Sequence, residues 1–198
     1  MVSFFSFLRQ RMQIWMFCLL VLVLIWPIIS VIVSQSSIQQ CIVQTPGHLD
    51  LSACSFADDQ YYQLDGQWQF FWRDLLISDS EKSQQVMQYR EIPGNWSNPF
   101  MPITNKFATG YATYRLHVKM SDQLLGKEIA IRVNSARAAS NFYINEQKIG
   151  SSGKVGQTLQ EEIGKNKPYS TITKLSSEKL QIDLEVSNFH YHVGGVGG

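Results

Sequence analysis

The chain reads as mainly β, a sandwich or jelly roll preceded by one N-terminal transmembrane helix. Three observations predict this. From Tyr61 onward, short runs rich in Val, Ile, Tyr and Phe recur between Gly, Asn, Ser and Pro, the pattern of strands joined by turns. The cleanest of them, Leu180-Gln-Ile-Asp-Leu-Glu-Val186, is apolar at every second position, as a half-buried strand requires. No long amphipathic helix follows Val33, whereas Ile14 to Val33 is an almost unbroken apolar segment.

Taken in order, residues 1–13 form a short N-terminus carrying Arg9 and Arg11, and residues 14–33 form the apolar segment. No charge interrupts that segment, and at about 1.5 Å rise per residue it can cross a hydrocarbon core about 30 Å thick. No Lys or Arg follows until Arg73, so the charge asymmetry predicts a cytoplasmic N-terminus and an exported remainder. Pro27 bends such a helix, which membrane helices tolerate. A cleaved signal peptide is the alternative; its apolar region is usually shorter, and Ser34-Gln-Ser-Ser37 is a weak cleavage cue. Either way the rest of the chain is exported, and an uncleaved segment anchors it in a membrane.

Residues 34–60 read as a polar linker with a turn at Pro46-Gly47. Cys41 and Cys54 flank that turn and can close a small loop in an oxidising compartment, while Cys18, inside the apolar segment, serves as a small hydrophobe. The domain is expected over 61–198. Tyr61 to Trp72 alternates around Gly66 as a first strand and bend, and 79–85 is a polar loop. Ile92 to Pro99 is dense in turn formers and reads as a long loop held by Trp96. Gly110–Met120 and Lys127–Asn134 read as a strand pair, and Asn145–Lys148 as a hairpin turn after Phe142-Tyr-Ile144. Gly150–Gly156 is a loop, 158–168 is polar, 169–175 is a short strand, and 180–186 closes the set.

Composition narrows the function. The chain has 198 residues with Lys+Arg 17 against Asp+Glu 16, a net charge of +1, which supplies no field for nucleic acid. The residues after the apolar segment suit one domain of about 150 residues. Catalysis finds no motif: Glu161 and Glu162 are adjacent rather than converging as a glycosidase pair, and no nucleophile elbow or His-Glu-x-x-His is present. Gly150-Ser-Ser-Gly-Lys-Val-Gly156 lacks the spacing of a phosphate loop. His190 and His192 share a face of an extended segment without a third metal ligand at suitable spacing, so neither metal nor cofactor is expected. The candidate ligand contacts are Trp96, whose ring can stack on a sugar, and Arg115 and Arg137, whose guanidinium forks suit carboxylates or hydroxyls. The competing reading for each is packing or structural pairing.

The motif order carries a resemblance. Leu64-Asp-Gly-x-Trp-x-Phe70, Ile92-Pro-Gly-x-Trp96, Gly110-Tyr-Ala-Thr-Tyr-Arg115, Gly126-Lys-x-Ile-Ala-Ile131 and Phe142-Tyr-Ile-Asn145 resemble the galactose-binding-like jelly roll, the fold of the sugar-binding domain of family 2 glycoside hydrolases. Ile149–Gly156 together with Ser187-Asn-Phe189 and Gly194-Gly195 is similar to the extracytoplasmic sensor domain of bacterial receptors with seven transmembrane helices and diverse intracellular signalling modules. That resemblance implies a non-enzymatic ligand-sensing domain, with a small molecule, a carbohydrate among the options, as partner. It also implies that the membrane holding an uncleaved anchor is the bacterial inner membrane, and that a seven-helix region and a signalling domain lie beyond Gly198. The alternatives are an accessory sugar-binding domain of an exported family 2 glycoside hydrolase and a stand-alone anchored binding protein.

Overall fold

The computed structural model describes residues 15–17, 19–27, 41–57, 60–79, 86–96 and 109–197. Chain contacts separate Met1–Cys41 from Ile42–Gly198. In the first unit, 15–17 and 19–27 are helical, and the apolar side chains from Trp15 to Trp26 are largely exposed. Among the described residues no helix is long and apolar enough to cross a membrane. Ile14, Cys18 and 28–33, the rest of the predicted span, lie outside the described residues.

The second unit is mainly β. Its strands are β1 (Val43–Thr45), β2 (His48–Asp50), β3 (Gly66–Trp72), β4 (Gln88–Ile92), β5 (Gly94–Asn95), β6 (Gly110–Lys119), β7 (Glu128–Val133), β8 (Ala139–Ile144), β9 (Gln147–Ser152), β10 (Tyr169–Lys174), β11 (Lys179–Asn188) and β12 (Gly195–Val196). The main sheet runs β1-β2-β6-β11-β8-β9, with β3 also paired to β6 and β4 to β3. β7 pairs with β10, and β5 with β12, as two small sheets.

The ten-residue partnership of β6 and β11 divides the main sheet into two faces. On one, Tyr114, Leu116 and Val118 sit opposite Leu184, Ile182 and Leu180, all buried, and Phe142 joins them opposite Leu184. Phe70 and Trp72 of β3 extend this core through ring contacts with Tyr114 and Trp96. Burial of such side chains contributes about 1.5–3 kcal/mol each, so this strip dominates the stability of the fold. The small β7–β10 sheet packs beside β9: Thr171 Oγ1 donates to the Ile149 carbonyl, and the Tyr169 ring lies over Gly150, where an added Cβ would come within 2.7 Å of it.

The opposite face is polar. Thr113, Arg115 and His117 stand opposite Glu185, Asp183 and Gln181. The 180–186 strand is therefore buried on both faces, not half-buried as its alternation predicts. Asp183 and Glu185 are fully buried because they are paired. Both carboxylate oxygens of Glu185 are used: Oε1 accepts the Ile77 and Ser78 N–H groups, and Oε2 accepts from Tyr143 and Ser78 hydroxyls.

Several further expectations change. The stretch read as a linker contains the β1–β2 hairpin, and β2 adds in parallel to β6 with Leu49, Leu51 and Cys54 buried behind it. β6 and β7 are both strands but do not pair with each other; each finds its partner far along the chain, β11 and β10. Gly150-Ser-Ser152, read as a loop, completes β9. Gly94–Asn95 forms a two-residue strand inside the predicted 92–99 loop, and β4 precedes it unpredicted. The 145–148 turn is tighter than expected: Ile144 faces Gln147, so only Asn145 and Glu146 turn the chain, at φ 48 and 68. The expected 79–85 loop falls, except for Asp79, outside the described residues.

Candidate functional site

Two connections and the chain after β11 come together as a loop cluster: the β7–β8 link (134–138), the β9–β10 loop (153–168) and residues 189–197. They are tied together by backbone bonds, Lys165 N–H to the Ala138 carbonyl at 2.8 Å and Gly197 N–H to the Ser135 carbonyl at 3.0 Å. Ser135 Oγ also bonds Asn166 Oδ1 at 2.9 Å. These ties place three side chains, Arg137, Glu162 and His190, on a common framework.

Glu162 is fully buried. Its Oε1 accepts the Phe189 N–H at 3.0 Å and lies 2.9 Å from Nδ1 of His190, whose side chain is 44% exposed. Its Oε2 is buried with no hydrogen-bond partner. A buried acceptor left unpaired costs about 1–3 kcal/mol, so such an atom calls for an explanation.

Arg137 adopts a left-handed backbone, φ 48, and its Nε is likewise buried without a partner. Gly197 lies against it: a Cβ there would sit 3.3 Å from Arg137 Nε. The framework therefore presents one unsatisfied donor and one unsatisfied acceptor of opposite charge. Tyr191, 45% exposed, stands beside Gly164, with Ile163, Leu159 and Val193 also exposed on these loops.

The Ser187-Asn-Phe189 and Gly194-Gly195 element builds part of this cluster. Asn188 Nδ2 donates to the Tyr191 carbonyl and its Oδ1 accepts the Tyr191 N–H, both at 2.9 Å, fixing the turn that carries His190. Gly195, at φ 114, pairs with Asn95, and a Cβ there would fall 2.3 Å from the Gly94 carbonyl oxygen. Only glycine fits so close a backbone approach.

Of the residues singled out from the sequence, Arg137 lies in this site. Trp96 is 8% exposed; its Nε1–H donates to the Tyr114 hydroxyl at 2.8 Å and its ring meets Trp72 edge-on at 5.0 Å. These contacts engage the ring in packing rather than in stacking on a ligand. Arg115 lies mid-strand on the polar face of the sheet, where its Nε bonds Asp183 at 2.6 Å. Cys41 and Cys54 are both disulfide-bonded. Glu161 accepts the Gln157 N–H on its own turn at 2.8 Å. Among the described residues, no three His, Cys, Asp or Glu side chains group as a metal ion would need.

Glu162 and His190 are not legible as partners in the sequence because twenty-eight positions separate them. The signal that could have found them is the Glu161-Glu162 doublet, in which one carboxylate faces solvent and the other the interior.

No family model and no curated protein matches the chain. Solved structures do. A β-glucuronidase of Faecalibacterium prausnitzii aligns at 17% identity and a TM-score of 0.50, over 69% of this chain and 23% of that one. A β-glucuronidase of Ruminococcus gnavus aligns at 17% identity and a TM-score of 0.46, over 63% of this chain and 21% of that one. The chain thus spans about a fifth of the length of these enzymes. The likeness to the Faecalibacterium enzyme shows a shared fold over the part of that longer chain which aligns.

Proposed function

We propose that this chain is a non-catalytic binding module for a small hydroxyl-rich molecule, a carbohydrate, held at the loop cluster by Arg137, Glu162, His190 and Tyr191. One observation carries the reading: Arg137 Nε and Glu162 Oε2 are buried without partners on one tied framework. Because both atoms are buried, a ligand reaches them by displacing the loop side chains that cover them; a sugar hydroxyl, which both donates and accepts, then satisfies the N–H and the carboxylate oxygen, while an aromatic ring covers its apolar side.

The context best matched by the fold is the accessory sugar-binding domain of an exported family 2 glycoside hydrolase, with catalysis elsewhere in the longer protein. The support is fold likeness and the Trp and Ile-Pro-Gly motifs, which is analogy rather than a site match. A second context, the sensor end of a membrane receptor, is favoured by the exposed apolar helix after Arg9 and Arg11 and by the Ser187–Gly195 element. In that context the helix anchors the module in the inner membrane and the module biases transmembrane and signalling regions.

A calorimetric titration of the full chain with a panel of neutral sugars tests the binding reading. Saturable binding to at least one sugar, lost in Arg137→Ala, is the expected result. Failure of every sugar to bind would overturn it. The coding sequence after Gly198 separates the contexts: a barrel with paired carboxylates supports the hydrolase, seven apolar spans the receptor.

A further inference from the structure

We propose that the polar face of the main sheet holds a second binding site, built on Arg115, His117 and His48, that takes a small monovalent carboxylate bearing hydroxyl groups. It lies on a different part of the fold from the loop cluster and is independent of sugar binding there.

Arg115 is pre-oriented. Its Nε bonds Asp183 Oδ1 at 2.6 Å, Gln181 Nε2 bonds the other Asp183 oxygen at 2.8 Å, and the guanidinium lies 5.9 Å from the centroid of the Phe71 ring. Asp183 is fully buried, whereas the Arg115 side chain is 21% exposed. The ion pair occupies one of five N–H donors, leaving the two terminal nitrogens to fork onto a carboxylate at little further entropic cost.

The surroundings set the ligand's charge. His117 follows Arg115 by two residues on the same face, and its ring stacks on His48 at 5.1 Å. Gln69 stands opposite Arg115 across β3 and β6. Lys119, the other cation, pairs with Asp50 at 3.4 Å. Arg115 and Lys119 are each balanced by a carboxylate, so the added positive charge an anionic ligand meets is the single proton His117 takes up, which matches one negative charge rather than two. Gln69 and Gln181 supply amide groups for hydroxyls.

Burial, then the neighbouring His48 and Arg115, holds His117 below its ordinary 6.5, against the opposing pull of Asp183. A bound carboxylate counters the Arg115 charge, so His117 takes up a proton on binding. Affinity then rises as pH falls through the imidazole range.

The test is an NMR titration of the full chain, reading the His48 and His117 ring signals with D-galacturonate and with D-galactose at equal ionic strength. Galacturonate shifts both rings, raises the His117 titration midpoint and binds several-fold more tightly in mildly acidic than in neutral solution; galactose leaves the rings unmoved. Arg115→Gln combined with Asp183→Asn removes both members of the ion pair without stranding a buried charge, and abolishes the response. His48→Gln, at an exposed position, weakens galacturonate binding several-fold and serves alone if the double variant does not fold. Equal response to both sugars, shifts confined to the His190 and Tyr191 loop, or unchanged binding in His48→Gln would each overturn the proposal.

Discussion

At Glu185 every carboxylate lone pair within reach has a donor, whereas Glu162 offers one oxygen to Phe189 and His190 and leaves the other bare. The two buried carboxylates should therefore respond differently to substitution. Glu185→Ala strands the Ile77 and Ser78 N–H groups and the Tyr143 hydroxyl, and is expected to cost about 3 kcal/mol or more, read by urea unfolding. Glu162→Gln keeps an acceptor for Phe189 and removes a buried charge, so stability should change by less than about 1 kcal/mol while sugar binding falls at least tenfold. Tyr143 adds a pH test. Burial, with the Glu185 charge adding to it, pushes its hydroxyl up from the ordinary 10.0 to about 12. The native state then holds this proton more tightly than the unfolded chain does, so the stabilisation is complete below about pH 10 and declines from there to about pH 12. Unfolding measured across that window should show the decline in the parent chain and a flatter profile in Tyr143→Phe.

The β8–β9 hairpin turns on Asn145 and Glu146, both at positive φ. Asn tolerates this and Glu does not, so Glu146→Gly is expected to stabilise by about 0.5–1 kcal/mol, seen as a rise in Tm. Long alternating strands were legible in the sequence: 110–120, 127–134 and 180–186 all form strands because period-2 burial leaves a strong mark. Their partners were not legible, since β6 joins β11 and β7 joins β10 across long sequence separations that no local pattern encodes. The β1–β2 hairpin is hidden for a related reason: its strands are three residues long, and only Leu49 of them is buried. Asp183 and Glu185 looked solvent-facing because alternation reports polarity, and only the structure shows Arg115 and the 75–79 segment covering them. Arg137 was singled out in the sequence as a binding candidate; Glu162 was not, because its loop meets the 134–138 link only through tertiary contacts such as Lys165 N–H to the Ala138 carbonyl.

For the molecule as a whole, the net charge of +1 supplies no field for a polyelectrolyte, in keeping with the small neutral ligand we propose. Membrane attachment is part of our proposal and rests on the uncovered Leu, Val and Trp side chains of the helical residues 15–17 and 19–27. An anchored chain is expected to stay with membranes through an alkaline wash and to be released by detergent; release by the wash would favour a cleaved signal. Sugar binding at the loop cluster is the central claim, and the most direct measurement is mapping of backbone amide shifts of the full chain on adding the best-binding neutral sugar. Saturable shifts are predicted, centred on Arg137, Glu162, Phe189, His190 and Tyr191 and lost in Arg137→Ala with the rest of the spectrum unchanged. Absence of shifts at millimolar sugar, or shifts centred elsewhere on the sandwich, would contradict it.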